Sequence, residues 1–211
     1  MTRISEVLAA GASWRFLSLL FRCPNSALVA AIKTLQEEIA PELRSEAHAL
    51  VELLEDSNLE ASYHVLLGSG GVISPYESDY QSVGEEGVRE RGVILGDVAG
   101  FYRAFGFDPS KEMPEAPDHV SLEIAFVSHL KLKEAFALMQ LENEPYQVCV
   151  AAEKKFLEEH LLTWLPQFLE RIHEQDAHPF YKKAADIIKG YLLLNPQIVS
   201  PREEVLGKEE S

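Results

Sequence analysis

Apolar residues recur along this chain mostly three and four positions apart, and long alternating runs rich in Val, Ile and Thr are missing. The pattern predicts an all-α fold, a compact bundle of about ten helices. A first helix is expected from about Ser5 to Phe21, with Leu8, Ala12, Trp14, Phe16, Leu19 and Leu20 supplying apolar surface, until Cys23-Pro24-Asn25 breaks the period. Asn25 or Ser26 can cap a second helix reaching about Ile39. Pro41 suits the first turn of a third, which carries Leu43, Ala47, Leu50, Val51 and Leu54. Asp56-Ser57-Asn58 interrupts it, and Leu59 to Leu67 resumes as a short helix.

From Gly68 to about Arg91 the character changes, with Gly68-Ser69-Gly70-Gly71, Ser74-Pro75, Gly84 and Gly87 making a long irregular segment. Loops of that length inside a compact protein are usually functional or disordered, and Tyr76 and Tyr80 argue against plain disorder. Helical periodicity returns with Val93, Leu95, Val98, Phe101, Tyr102 and Phe105. The turn-rich stretch 106–117 then reads as a hinge between two subdomains, about 1–105 and 118–195. Asp118 is placed to cap a helix from about His119 to Leu141, and Pro145 begins another. Phe156, His160, Leu161, Trp164, Phe168 and Ile172 follow a helical stripe, with Thr163 and Pro166 predicting a break near Trp164. His178-Pro179 starts a last helix through Leu194. The all-helical domain thus covers 1–195, and 196–211 reads as a charged, mobile tail.

Composition narrows the function. With 211 residues and 46% apolar content, folding buries about 70% of the unfolded chain's surface, enough for a core without disulfides or structural metals. The balance of 19 basic against 34 acidic side chains leaves a formal charge of −15, which repels nucleic acid and anionic membranes and suits a cationic peptide. Eight acids and one base lie between Glu37 and Glu60, a run that ordinarily forms a solvated helix face and can also steer a cationic partner. Cys23 and Cys149 are far apart and in no zinc or C-x-x-C spacing, as suits a reducing compartment. No signal-peptide core and no apolar run of membrane-spanning length is present, so the expected location is cytoplasmic.

Two polar clusters interrupt the core pattern: Pro75-Tyr76-Glu77-Ser78-Asp79-Tyr80, and Pro117-Asp118-His119-Val120-Ser121-Leu122-Glu123. A site for an extended basic peptide needs carboxylates for guanidinium groups and aromatic or apolar walls for the neighbouring side chains, and these clusters hold both. The plainer reading makes Asp118 an N-cap, Pro117 a turn residue and the tyrosines core packing. His119 and Glu123, four apart, share a helix face and could serve as an acid/base or metal pair. No metal site is expected, since a third ligand, an H-E-x-x-H motif and paired cysteines are all missing. Gly68-Ser69-Gly70-Gly71 lacks the Lys-Ser/Thr of a phosphate loop, and no nucleophile elbow occurs, so neither cofactor nor catalytic residue is assigned.

The order of these clusters resembles the TorD/DmsD family of redox-enzyme maturation chaperones. The resemblance rests on several segments in order. They are the aromatic helix before Cys23-Pro24, Tyr63-x-x-Leu66-Leu67-Gly68 leading to Ser74–Tyr80, Leu95-Gly96-Asp97 before Tyr102, Ala116-Pro117-Asp118-His119 with Glu123, and His160-Leu161-x-x-Trp164 followed by His178-Pro179-Phe180-Tyr181. Ser74, Leu67 and Asp79 depart from the family's usual residues. The resemblance implies an all-helical, non-catalytic protein, monomeric or a domain-swapped dimer. Its expected partner is the catalytic subunit of a molybdopterin-containing oxidoreductase, bound through a twin-arginine signal peptide or N-terminal segment until the cofactor is inserted. Carried over by position, the peptide site comprises Pro75, Tyr76, Glu77, Ser78, Tyr80, Pro117, Asp118, His119 and Glu123. Glu77, Asp118 and Glu123 are expected to accept guanidinium groups, Tyr76 and Tyr80 to form walls, and His119 to hydrogen-bond near the hinge. Two other classes compete: a metal-dependent helical hydrolase using His119, Glu123 and Asp97, and a generic acidic adaptor.

Overall fold

The Thr2 hydroxyl accepts the Ser5 amide at 3.3 Å and so caps the first helix, and regular structure among the described residues is helical from there on. The computed structural model describes residues 2–81, 90–109 and 113–199. In order these form α1 (Arg3–Leu19), α2 (Ser26–Leu35), α3 (Pro41–Glu52) with a 3₁₀ turn at Leu53–Glu55, α4 (Leu59–Leu66), the one-turn α5 (Ser78–Gln81) and α6 (Arg91–Phe105). There follow α7 (Val120–Gln140), α8 (Asn143–Phe156), a π-helical turn at Leu157–Leu161, α9 (Leu162–Glu174), α10 (Pro179–Leu194) and the short α11 (Pro196–Val199). Local chemistry sets most of these ends. Asn25 accepts the Leu28 amide at 2.8 Å, Pro41 and Pro179 sit in first turns, and Gly106 closes α6 in the left-handed region at φ 69°.

The principal helix pair is α1 against α7. Gly11 lets the two helices lie close, since a Cβ there would stand a tight 3.3 Å from the Lys131 Cβ, and the Ser128 hydroxyl reaches the Gly11 carbonyl at 2.8 Å. Trp14, Phe16, Leu17 and Leu20 of α1 and its C-terminal flank are fully buried, and Trp14 meets Tyr191 of α10 edge-on at 5.4 Å. On the other side of α7, Phe126 is ringed by Phe101, Tyr102, Phe105, Phe107 and Phe156 at 4.7–6.3 Å between centroids. A half-buried Lys131 pairs with Glu134 of its own helix at 3.2 Å and with Glu153 of α8, and the second pair ties α7 to α8.

Two expectations change. Hydrophobic packing runs as one cluster from α1 through α10, and α1 packs on α7 across 106–117, so that stretch does not separate two cores. The irregularity placed near Trp164 lies one turn earlier. Pro166 lies inside α9 as its fifth residue, and the departure from α geometry falls in the π turn just before, at Leu157–Leu161. The expected tail is described only through Val199, where 196–199 is helical; 200–211 lies outside the described residues.

Phe126→Ala should lower unfolding free energy by about 3–5 kcal/mol, because the five surrounding rings cannot collapse onto the void. Leu132→Ala on the exposed face of the same helix should cost no more than about 0.5 kcal/mol, and parallel denaturant titrations compare the two.

Candidate functional site

Two sequence clusters some forty residues apart meet through their backbones. The Glu77 amide donates to the Asp118 carbonyl at 3.0 Å, and the Val120 amide to the Pro75 carbonyl at 2.8 Å, an antiparallel bridge centred on Tyr76 and His119. The loop arrives there by folding back on α4, whose last carbonyls, Val65 and Leu66, accept the Val72 and Ile73 amides. That return requires Gly68, where a Cβ would come within 2.6 Å of the His64 carbonyl, and Gly70, whose φ is 80°.

The bridge buries its own polar side chains. Glu77, Ser78, Asp118, His119 and Glu123 are each 2% exposed or less. Asp118 does not cap α7 as expected; its Oδ2 accepts the Ser78 amide at 3.2 Å and so holds the start of α5. His119 takes the cap, its Nδ1 accepting the Ser121 amide at 3.1 Å. Burial, and after it the Arg22 charge, pulls the His119 pKa down to about 3, so the ring is neutral and its Nε2 carries the proton without a partner. Glu77 lies against His160, whose Nδ1 donates from 3.1 Å, and also accepts from Gln81. Glu123 Oε2 accepts the Trp164 indole at 3.0 Å while Oε1 has no partner. Burial and the nearby Glu77 charge raise the Glu123 pKa well above the carboxylate range, which keeps it protonated. Tyr102 closes the cluster by donating to the Pro117 carbonyl at 2.8 Å.

These facts correct the roles given to Glu77, Asp118 and Glu123. None has surface from which to accept a guanidinium group; they are the internal frame of the bridge. Tyr80 is also inside, its hydroxyl on the Ser74 carbonyl at 2.8 Å and its ring under the Arg171 guanidinium at 4.6 Å. Burial pushes its phenol up to about 12. His119 spends its Nδ1 on the Ser121 amide of its own helix.

Of the nine residues, Pro75 and Tyr76 reach an open groove of about 720 Å³ between α1's end, α4, the glycine loop and α6. Its walls include Tyr63, His64, Ile73, Asp79, Arg91 and Glu115. The Tyr76 hydroxyl donates to Glu115 at 2.7 Å, and its ring stands edge-on to His119 at 5.2 Å. Asp79 accepts the Ser74 hydroxyl and pairs with Arg91 at 3.7 Å. The groove is thus acidic and aromatic, and one guanidinium group of the chain itself already occupies part of it. Asp79, Glu115 and Tyr63 were absent from the expected site; Asp79 stood inside the first cluster, but no sequence pattern tied Glu115 to it. His119 and Glu123 are buried, whereas Asp97 is exposed on α6. Among the described residues no helix is long and apolar enough to cross a membrane.

Replacing Glu123 by Gln removes a group that stays protonated in the fold but ionises when unfolded. The contribution of Glu123 to stability falls as pH rises above about 4.5, toward its raised native pKa, by up to about 1.4 kcal/mol per pH unit. Glu123→Gln should therefore gain on wild type steadily from pH 5 upward in urea titrations, while Glu123→Ala should be less stable than Glu123→Gln at every pH, since it also strands the Trp164 indole.

The sequence matches known proteins over much of this architecture. Residues 26–170 fit the model of the nitrate reductase delta subunit family. A selenate reductase assembly chaperone protein of Thauera selenatis is 32% identical over 129 residues, 59% of this chain and 62% of the relative. A chlorate reductase assembly chaperone protein of Ideonella dechloratans is 36% identical over 54% of this chain and 57% of its own length. The chaperone protein TorD of Vibrio cholerae (strain O395) is 29% identical over 56% and 50% respectively. The aligned part spans between half and just under two thirds of these relatives. No solved structure matches the chain. With more than half of its residues fitting the family's model, the chain belongs to the nitrate reductase delta subunit family, the TorD-like family its residue pattern resembles.

Proposed function

We propose that this protein is an assembly chaperone for the catalytic subunit of a molybdopterin-containing oxidoreductase, that it acts in the cytoplasm, and that it holds the subunit's twin-arginine leader or N-terminal segment in the groove beside Tyr76. The binding protects the apoprotein and allows cofactor insertion before export. The observation that carries this reading is the acidic, aromatic-walled groove in which Asp79 already pairs with a guanidinium group, that of Arg91. An incoming arginine can take the place of Arg91 on Asp79 or add to Glu115, with the Tyr76 and Tyr63 rings flanking its planar head. The relatives' names, which are those of assembly chaperones for selenate, chlorate and perchlorate reductases, support the client class. Of the residues carried over by position, Pro75 and Tyr76 make contact in this reading, whereas Glu77, Ser78, Tyr80, Pro117, Asp118, His119 and Glu123 keep the bridge in shape. A generic acidic adaptor would need charge alone and no ordered bridge.

Calorimetric titration with the client's leader tests the assignment. Asp79→Asn/Glu115→Gln should weaken binding by about tenfold or more, as expected for charge-assisted hydrogen bonds, and Tyr76→Ala should weaken it as well. An Arg-Arg to Lys-Lys leader should lose affinity, and added salt should weaken the native pair. Equal affinity for both leaders and all variants overturns the site; binding lost with salt but indifferent to these residues favours the adaptor.

A further inference from the structure

Cys23 lies in the turn between α1 and α2, and Glu60 and His64 lie one helical turn apart on α4. Nothing in their spacing joins Cys23 to the other two, which are 37 and 41 positions away. The fold brings one ligand atom from each within 4.8 Å of the others, and the Cys23 sulfur stands 3.8 Å from His64 Nε2. Among the described residues this is the group of metal-capable side chains that converges so closely.

The distances match a particular ion. Around tetrahedral zinc, with Zn–S near 2.3 Å and Zn–N near 2.0 Å, a sulfur and a nitrogen ligand stand about 3.5 Å apart. Cys23 and His64 are within a few tenths of an ångström of that edge, and Glu60 and His64 are exposed, with free rotamers to close the rest. A thiolate, an imidazole and a carboxylate form a borderline-soft set, which favours zinc over magnesium or calcium. Three protein ligands leave a fourth tetrahedral position for water or a donor from another molecule. Cys23 and His64 both line the wall of the groove, so an ion there sits at its edge.

We propose that Cys23, Glu60 and His64 form a zinc-binding site at the rim of the groove. The site needs no occupant in the groove and stands apart from the leader reading. Binding releases the thiol proton and joins the turn after α1 to α4 by a coordinate link.

Cobalt substitution reads the site directly. Full-length protein, treated with chelator and kept reduced, is titrated with Co²⁺ and then with Zn²⁺. One equivalent of Co²⁺ should give the near-ultraviolet thiolate-to-metal band and the intense visible bands of a tetrahedral site, and Zn²⁺ should bleach both. Cys23→Ser should abolish the near-ultraviolet band. His64→Ala and Glu60→Gln, both at exposed positions, should weaken Co²⁺ affinity by more than about tenfold. Cys149→Ser should leave the spectrum unchanged. A wild-type protein without the thiolate band, or a band that survives Cys23→Ser or disappears in Cys149→Ser, overturns the proposal.

Discussion

The pairing of residues 75–77 with 118–120 is the constraint on which the rest of the site depends. Two backbone hydrogen bonds tie a glycine-rich loop to the start of the longest helix. In doing so they draw two glutamates, an aspartate and a histidine out of water. A buried carboxylate without partners costs several kcal/mol, so the bridge holds only while neighbouring elements satisfy it. His160 and Gln81 do so for Glu77, Trp164 for Glu123 and the Ser78 amide for Asp118. The remaining charge problem is solved by protonation of Glu123.

The π turn belongs to the same device. His160 sits within it and Trp164 just after it, and both face the bridge from across the core. The extra residue in the turn changes the angular offset between the two side chains, so that one element serves two different carboxylates. Aromatic packing fixes the background, with Phe101 and Phe156 against the His160 ring and Tyr80 against Trp164. The polar cluster is therefore clamped between hydrophobic layers, which gives it a single arrangement at the expense of some unsatisfied atoms, Glu123 Oε1 and His119 Nε2 among them.

This division of labour explains how one short segment can be both frame and contact. At the bridge the successive side chains of Tyr76 and Glu77 point opposite ways, as they do on extended backbone, and Asp79 follows in the first turn of α5. Glu77 goes inward to His160, while Tyr76 and Asp79 reach the groove. The outward set carries the acidic and aromatic chemistry suited to an arginine-rich peptide, and the inward set keeps that surface in register with Glu115 from the other segment.

Most of the helical plan was legible in the residues alone. The 3.6-residue period located the helices, and the punctuation at Asn25, Pro41, Gly106 and Pro179 placed ends to within a few residues, because caps and breakers act through local sterics and hydrogen bonds. The importance of the clusters around Tyr76 and His119 was legible too, since polar residues interrupting a core pattern call for a reason. Which side chains face solvent was not. Asp118 looked like a cap and Glu123 like an acceptor, and only tertiary packing turned both inward and handed the groove to Asp79 and Glu115. The same holds for the single hydrophobic cluster that draws on both sides of 106–117 and for the meeting of Cys23 with Glu60 and His64. Local pattern specifies elements through interactions a few residues long; burial, protonation and the convergence of distant side chains depend on the neighbours that folding brings to each group.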